Sequence, residues 1–95
     1  MDRDEFEATL RRDGFSPAEA KSNEAGRSVP EHVHLFDVCA LVLGGDITLT
    51  SNGSSQTYRE GEVFTMTGGS AHSELTGPRG VRYLVGRRQS AEGRL

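Results

Sequence analysis

The sequence predicts an all-β fold, a small antiparallel β-barrel preceded by a short N-terminal helix. Three observations carry this. Short runs of β-branched and aromatic residues recur from Phe15 onward and are cut by turn residues at roughly 8–12-residue spacing, the texture of a sandwich or barrel. Ile47-Thr48-Leu49-Thr50 alternates apolar and polar side chains and runs into Asn52-Gly53, a strong hairpin dipeptide. Helical spacing is confined to the start, where Phe6 and Leu10 lie four apart and share a face.

The helix is expected over residues 2–13. Asp4, Glu5 and Glu7 sit early and Arg11 and Arg12 late, which suits the helix dipole, and Gly14 is a natural stop. The polar segment from Asn23 to Pro30 reads as a loop leading into a strand that carries His32 and His34. An apolar strand then ends in Leu43-Gly44-Gly45-Asp46. Ile47 to Thr50 and Gln56 to Arg59 are the two arms of the hairpin. Val63 to Met66 is a strand, Thr67-Gly68-Gly69-Ser70 a turn, Ala71 to Thr76 a strand, Gly77-Pro78-Arg79-Gly80 a turn, and Val81 to Val85 the last strand. Residues after Arg87 read as a frayed tail. The expected division is a helix over 1–14, one barrel domain over 15–88 and a tail over 89–95.

With 95 residues the chain is one domain. Hydrophobic residues at 34% against 26% charged, with a net charge of −3, describe a globular protein rather than a disordered one. Arg87, Arg88 and Arg94 cluster near the end, but a solvated tail explains them better than a nucleic-acid-binding face. Cys39 is the one cysteine, so no intramolecular disulfide and no oxidising compartment is called for. The start, Met1-Asp2-Arg3-Asp4-Glu5, has no apolar run of a secretory leader, and no stretch approaches the ~20 apolar residues of a membrane span. A cytoplasmic protein without nucleic-acid or membrane partners is expected.

His32 and His34 are the first chemical signal. On a strand, residues i and i+2 face the same way, so both imidazoles project to one side, close enough to share a metal. Imidazole suits zinc, copper, iron and nickel. The wider context sharpens the signal: His-x-His, then the strand ending Leu43-Gly44-Gly45-Asp46, the hairpin, Gly61-Glu62-Val63-Phe64, and finally Thr67-Gly68-Gly69-Ser70-Ala71-His72.

This order resembles the cupin family over about Val29 to Arg87. The family's first motif has His-x-His, a Glu a few residues on, and a Gly seven residues after that Glu. Its second has a Gly, five residues, Pro-x-Gly, two residues, a His, three residues and an Asn. Gly61, Gly69 and His72 fall at matching spacings, and all three histidines of the chain land on ligand positions. The resemblance implies a jelly-roll-like barrel in which His32, His34 and His72 hold one divalent transition metal ion: iron, manganese, nickel, zinc or copper.

Three positions depart from the pattern. Thr67 replaces the Pro, Thr76 replaces the Asn, and the Glu slot holds Val38 when counted from Gly45 or Asp37 when counted from Gly44. The Gly45 register matches better; Asp37 is a possible fourth ligand in the other, and otherwise a carboxylate accepting backbone N–H bonds in the turn after Leu35-Phe36. In the Gly45 register Cys39 points away from the ligands as a buried thiol. Glu74, two residues after His72, shares its face. It is either a fourth ligand, a catalytic base whose basicity partial burial raises, or a carboxylate at the solvated mouth.

The resemblance implies a metal-dependent oxidoreductase or isomerase acting on a small organic molecule, dioxygenase-like or isomerase-like. A non-catalytic module that binds a metal or a small ligand is the alternative, and a scaffold with vestigial histidines is a third reading. A homodimer is expected, because exposed sheet edges need covering and so small a chain gains from added buried area.

Overall fold

The computed structural model describes residues 1–90. Among these are one helix, α1 (Arg3–Arg12), and six strands: β1 (Glu19–Asn23), β2 (Ser28–His32), β3 (Phe36–Ser51), β4 (Ser54–Arg59), β5 (Val63–Met66) and β6 (His72–Gln89). No helix among them is long and apolar enough to cross a membrane. All pairings are antiparallel, in the order β1-β6-β3-β4, with β2 also on β6 and β5 also on β3. The sheet curls around a core but does not close into a barrel: no pairing joins β1 to β4 among the described residues.

β3 and β6 form the spine, paired from Phe36↔Gln89 to Thr50↔Ser73. Both run through points where the sequence predicts a break. β3 continues past Gly45 to Ser51, bending at Gly44-Gly45 as its second neighbour changes from β5 to β4. Gly45 has φ +75°, and a Cβ there would run into the Gly80 carbonyl, so only glycine fits. The turn expected at residues 77–80 is a bulge inside β6. Register jumps from Gly45↔Val81 to Ile47↔Thr76, leaving Asp46 opposite four residues.

This bulge has a consequence for side-chain facing. Thr76 and Val81 are both buried although five residues apart. Strand alternation therefore changes parity across the bulge. Even positions up to Thr76 and odd positions from Val81 onward share the concave face.

β1 carries no apolar alternation (Glu-Ala-Lys-Ser-Asn), which is why the sequence does not announce it; it is an edge strand held on β6 by backbone pairing. The loop expected from Asn23 to Pro30 is shorter, because β2 begins at Ser28; β1 and β2 run in the same direction along β6, and the short link between them uses Gly26 at φ +72°. The Asn52-Gly53 hairpin forms as predicted, with both residues at positive φ.

Two hydrophobic clusters lie on opposite faces of the sheet. Val38, Ala40, Val42, Ile47, Phe64, Val81 and Val85 pack inside the concave face. Cys39, Leu41 and Leu84 pack outside, beneath Phe6 and Leu10 of α1. The alternation of Val38 to Val42 thus feeds both clusters. Cys39 is buried beneath the helix, and this burial pushes its thiol pKa up, as fits an inert side chain. Asp2 caps α1 by accepting the Glu5 N–H at 2.9 Å. Since Phe6 is fully buried, Phe6→Ala is expected to cost about 3–5 kcal/mol, read as a lowered midpoint in urea unfolding.

The C-terminal arginines are not a solvated tail. β6 runs to Gln89, and Ser90 is buried and donates from Oγ to the Leu35 carbonyl at 3.1 Å. Arg88 donates Nε and Nη2 to Asp37 Oδ2 at 3.0 and 2.8 Å and Nη1 to the Asp13 carbonyl at 2.8 Å. It also lies over the Phe15 ring, 4.3 Å from its centroid. Arg94 lies outside the described residues.

Candidate metal centre

The three histidines reach one point from three pieces of chain. His32 is the last residue of β2 and pairs directly with His72, the first of β6. His34 lies beyond the end of β2, in the connection to β3, so strand alternation alone does not place it. Its ring stacks on Phe36 with centroids 4.2 Å apart and planes 6° from parallel. The ring centroids of His32 and His34 lie 4.4 and 4.9 Å from that of His72.

Each imidazole is oriented the same way. Nδ1 of His32 donates to the Pro30 carbonyl (2.9 Å), that of His34 to the Phe36 carbonyl (3.0 Å) and that of His72 to the Ser70 carbonyl (3.3 Å). A carbonyl oxygen only accepts, so these bonds fix the proton on Nδ1 and leave Nε2 with a bare lone pair. Backbone carbonyls behind histidine ligands are the usual support of a metal site. One ligand atom from each ring lies within 4.8 Å of the others. Nε2 of His72 is buried and has no hydrogen-bond partner among the described residues. Burial above all, with the neighbouring His32 and His34 rings, lowers the His72 pKa below the ordinary imidazole value; the Ser70 hydrogen bond and Glu74 oppose this without reversing it. The unpartnered, buried nitrogen of His72 beside the His32 and His34 rings suits a divalent ion, and three histidines can hold one with positions left for other ligands.

Glu74 is the carboxylate at this site. Its Oε2 lies 3.7 Å from Nε2 of both His32 and His72, and its side chain is 17% exposed, so it sits inside the mouth rather than on the outer surface. Asp37 stands apart, outside the cluster of possible ligands. Its Oδ2 holds Arg88 and its Oδ1 accepts the Gly68 N–H at 2.9 Å. The N–H it receives is thus in the turn before His72, not in the turn after Phe36. Gly69 N–H adds a bond to the His34 carbonyl at 2.8 Å. These two bonds brace the turn at the place where Thr67 stands for proline. Val38 occupies the inward position of the Glu slot and lines the cavity beside His32 and His34.

That cavity has a volume of about 200 Å³, and its wall includes Glu74, Lys21, Tyr83 and Arg87. The sequence does not single out Lys21 or Tyr83, and it reads Arg87 only as part of a solvated tail. Arg87 and Tyr83 face inward only because of the parity change at the bulge, and Lys21 because it pairs with Tyr83 across β1 and β6. A second cavity of about 340 Å³ adjoins His72 on its other side and is rich in hydroxyls, among them Ser51, Ser55, Tyr58 and Thr67.

No family model matches the sequence, and no curated protein does. Solved structures do. The cupin domain of Schizosaccharomyces pombe Cnp3 superposes with a TM-score of 0.69 at 20% identity over 80% of this chain, which spans 64% of that one. An RmlC-like cupin from Shewanella frigidimarina gives 0.65 at 17% identity, covering 80% of this chain and 68% of its own. KdgF from Halomonas sp. gives 0.63 at 15% identity, covering 80% and 71%. At these identities the likeness speaks for architecture alone: the chain has a cupin fold.

Proposed function

We propose that this chain is a metal-dependent cupin in which His32, His34 and His72 hold one divalent transition ion and a small organic molecule binds in the adjoining cavity. The carrying observation is the common pinning of three Nδ1 atoms, which aims three Nε2 lone pairs at one point, one of them buried without a partner. Bound there, an ion would supply Lewis acidity toward an oxygen-bearing ligand. The protein's own contribution is to hold His72 in its neutral form by burial, to wall the cavity with Val38 and Phe64, and to place Glu74 at its mouth. A carboxylate so placed can take a proton from a bound molecule, which makes an isomerase- or oxidoreductase-like reaction the favoured reading.

The second reading is a module that binds without turnover. It is favoured by the position of Glu74 within 3.7 Å of two imidazoles, since a carboxylate that binds the ion is not free as a base. Elemental analysis of untagged protein, followed by Glu74→Gln, separates the two. About one metal per chain, retained in the variant, with metal-dependent turnover lost, supports the enzyme. Metal lost together with Glu74 makes it a ligand and favours the binding module. No metal in the wild-type protein even after reconstitution removes the metal reading altogether.

A further inference from the structure

The cavity beside the histidines has an electrostatic character that the metal site alone does not give it. Its three imidazoles are neutral ligands, so a divalent ion held there would keep most of its charge, offset within the cavity by Glu74. The same wall carries two further cations, Lys21 and Arg87. Lys21 is partly satisfied by Glu19, with Nζ to Oε2 at 3.9 Å. Arg87 has no carboxylate in ion-pair range among the described residues; its guanidinium lies over the Phe36 ring, Cζ 5.1 Å from the centroid. Phe36 is also the ring on which His34 stacks. The Arg87 guanidinium and the His34 imidazole therefore touch the same aromatic side chain. Between them the lining is apolar: Val38, Phe64, Met66 and Val85. The volume of about 200 Å³ is below the ~300–1,000 Å³ of sites for drug-sized ligands.

From this arrangement we infer that the cavity selects a small dianion, a short dicarboxylate or its equivalent, with one acidic group toward the three histidines and the other on Arg87. The inference rests on the metal-site reading above and adds the ligand's charge and shape. A guanidinium at the mouth offers a carboxylate two parallel N–H donors, and Lys21 beside it adds to the positive field. The apolar walls suit a short carbon chain between the two acids. Tyr83, beside Lys21 in the same wall, offers a hydroxyl to the chain or to the distal acid.

The test is calorimetric titration of metal-loaded protein with malonate, succinate and glutarate, each against the monoacid of equal chain length. Metal content is measured on the same samples, and Arg87→Met and metal-free protein are run in parallel. Arg87 is exposed, so its replacement leaves the core intact. The expected result is a preference of about 10-fold or more for at least one diacid over its monoacid. That preference disappears in Arg87→Met at unchanged metal content, and diacid binding weakens sharply in metal-free protein. Metal-loaded protein that binds diacids and monoacids alike, or whose preference survives Arg87→Met, overturns the inference and leaves the metal site standing. Diacid binding that is equal with and without metal overturns the bridge between the two ends. Failure of the protein to take up metal shows directly in the metal content, and is a failure of the metal reading itself.

Discussion

Replacing His72 by leucine is expected to abolish metal binding and at the same time to raise the melting temperature of the metal-free protein. The two effects come from one atom. Nε2 of His72 is buried and lacks a hydrogen-bond partner among the described residues, and such a buried orphan costs about 1–3 kcal/mol relative to an apolar group. Leucine removes it and fills similar space. The Ser70 carbonyl that Nδ1 leaves behind belongs to an exposed residue and can turn to water. A gain of about 1 kcal/mol corresponds to roughly 4–8 °C in a domain of this size. Metal affinity moves the other way, by at least about 100-fold, since even second-layer changes at such sites cost 10–100-fold. His32→Leu serves as the control: its side chain is 34% exposed, so it should lose metal without the thermal gain. Metal analysis with thermal melts in chelator reads both quantities. A His72→Leu protein that keeps its metal would refute the ligand assignment. One that melts several degrees lower than wild type would show that the buried nitrogen is not a burden on the metal-free fold.

Gly45→Ala is expected to weaken the fold about as much as Phe6→Ala, without emptying any part of the core. Alanine at φ +75° carries backbone strain of about 1–2 kcal/mol. Its Cβ would also run into the Gly80 carbonyl, a backbone atom of the facing strand that has no rotamer to retreat to. Together these give about 3 kcal/mol, or roughly 12–24 °C of melting temperature. Gly53→Ala isolates the two contributions. Gly53 has φ +77° with open space around it, so it bears the backbone strain alone and should lose about 1 kcal/mol. Equal losses at the two positions would mean that the crossing of β3 and β6 has room that the structure does not show.

The all-β class, the helix and the hairpin were legible in the sequence because each has a local cause: Phe6 and Leu10 at helical spacing, Asn52-Gly53 at a two-residue turn, alternation in Ile47 to Thr50. The triad of histidines was legible from order and spacing. What escaped is what depends on partners far along the chain. β1 has no apolar pattern and exists by pairing with β6. Gly77-Pro78-Arg79-Gly80 has the composition of a turn and forms a bulge, because β3 pairs with the strand on both sides of it. Since that bulge reverses parity, an alternation counted from His72 assigns Tyr83 and Arg87 to the wrong face. Asp37 looked like a candidate ligand because Gly44 and Gly45 leave the register open. Its partner Arg88 lies 51 positions away, and only the fold brings them to 2.8 Å. Arg87 and Arg88 looked like a tail for the same reason.

The central place of β6 also sets an order of events during folding. β6 is the last described strand, and β1, β2 and β3 all pair with it. Until it docks, the chain can form α1, the β3–β4 hairpin and the β3–β5 pairing, but β1 and β2 have no strand to lie on. Such distant pairings are slow to form, because loop closure must precede the contacts that reward it. His32 and His34 meet His72 only when β6 arrives, so the three-histidine cluster is completed in the final assembly step rather than in a nascent fragment. A metal ion would therefore be captured by a nearly finished sheet, and its binding energy would slow unfolding more than it speeds folding.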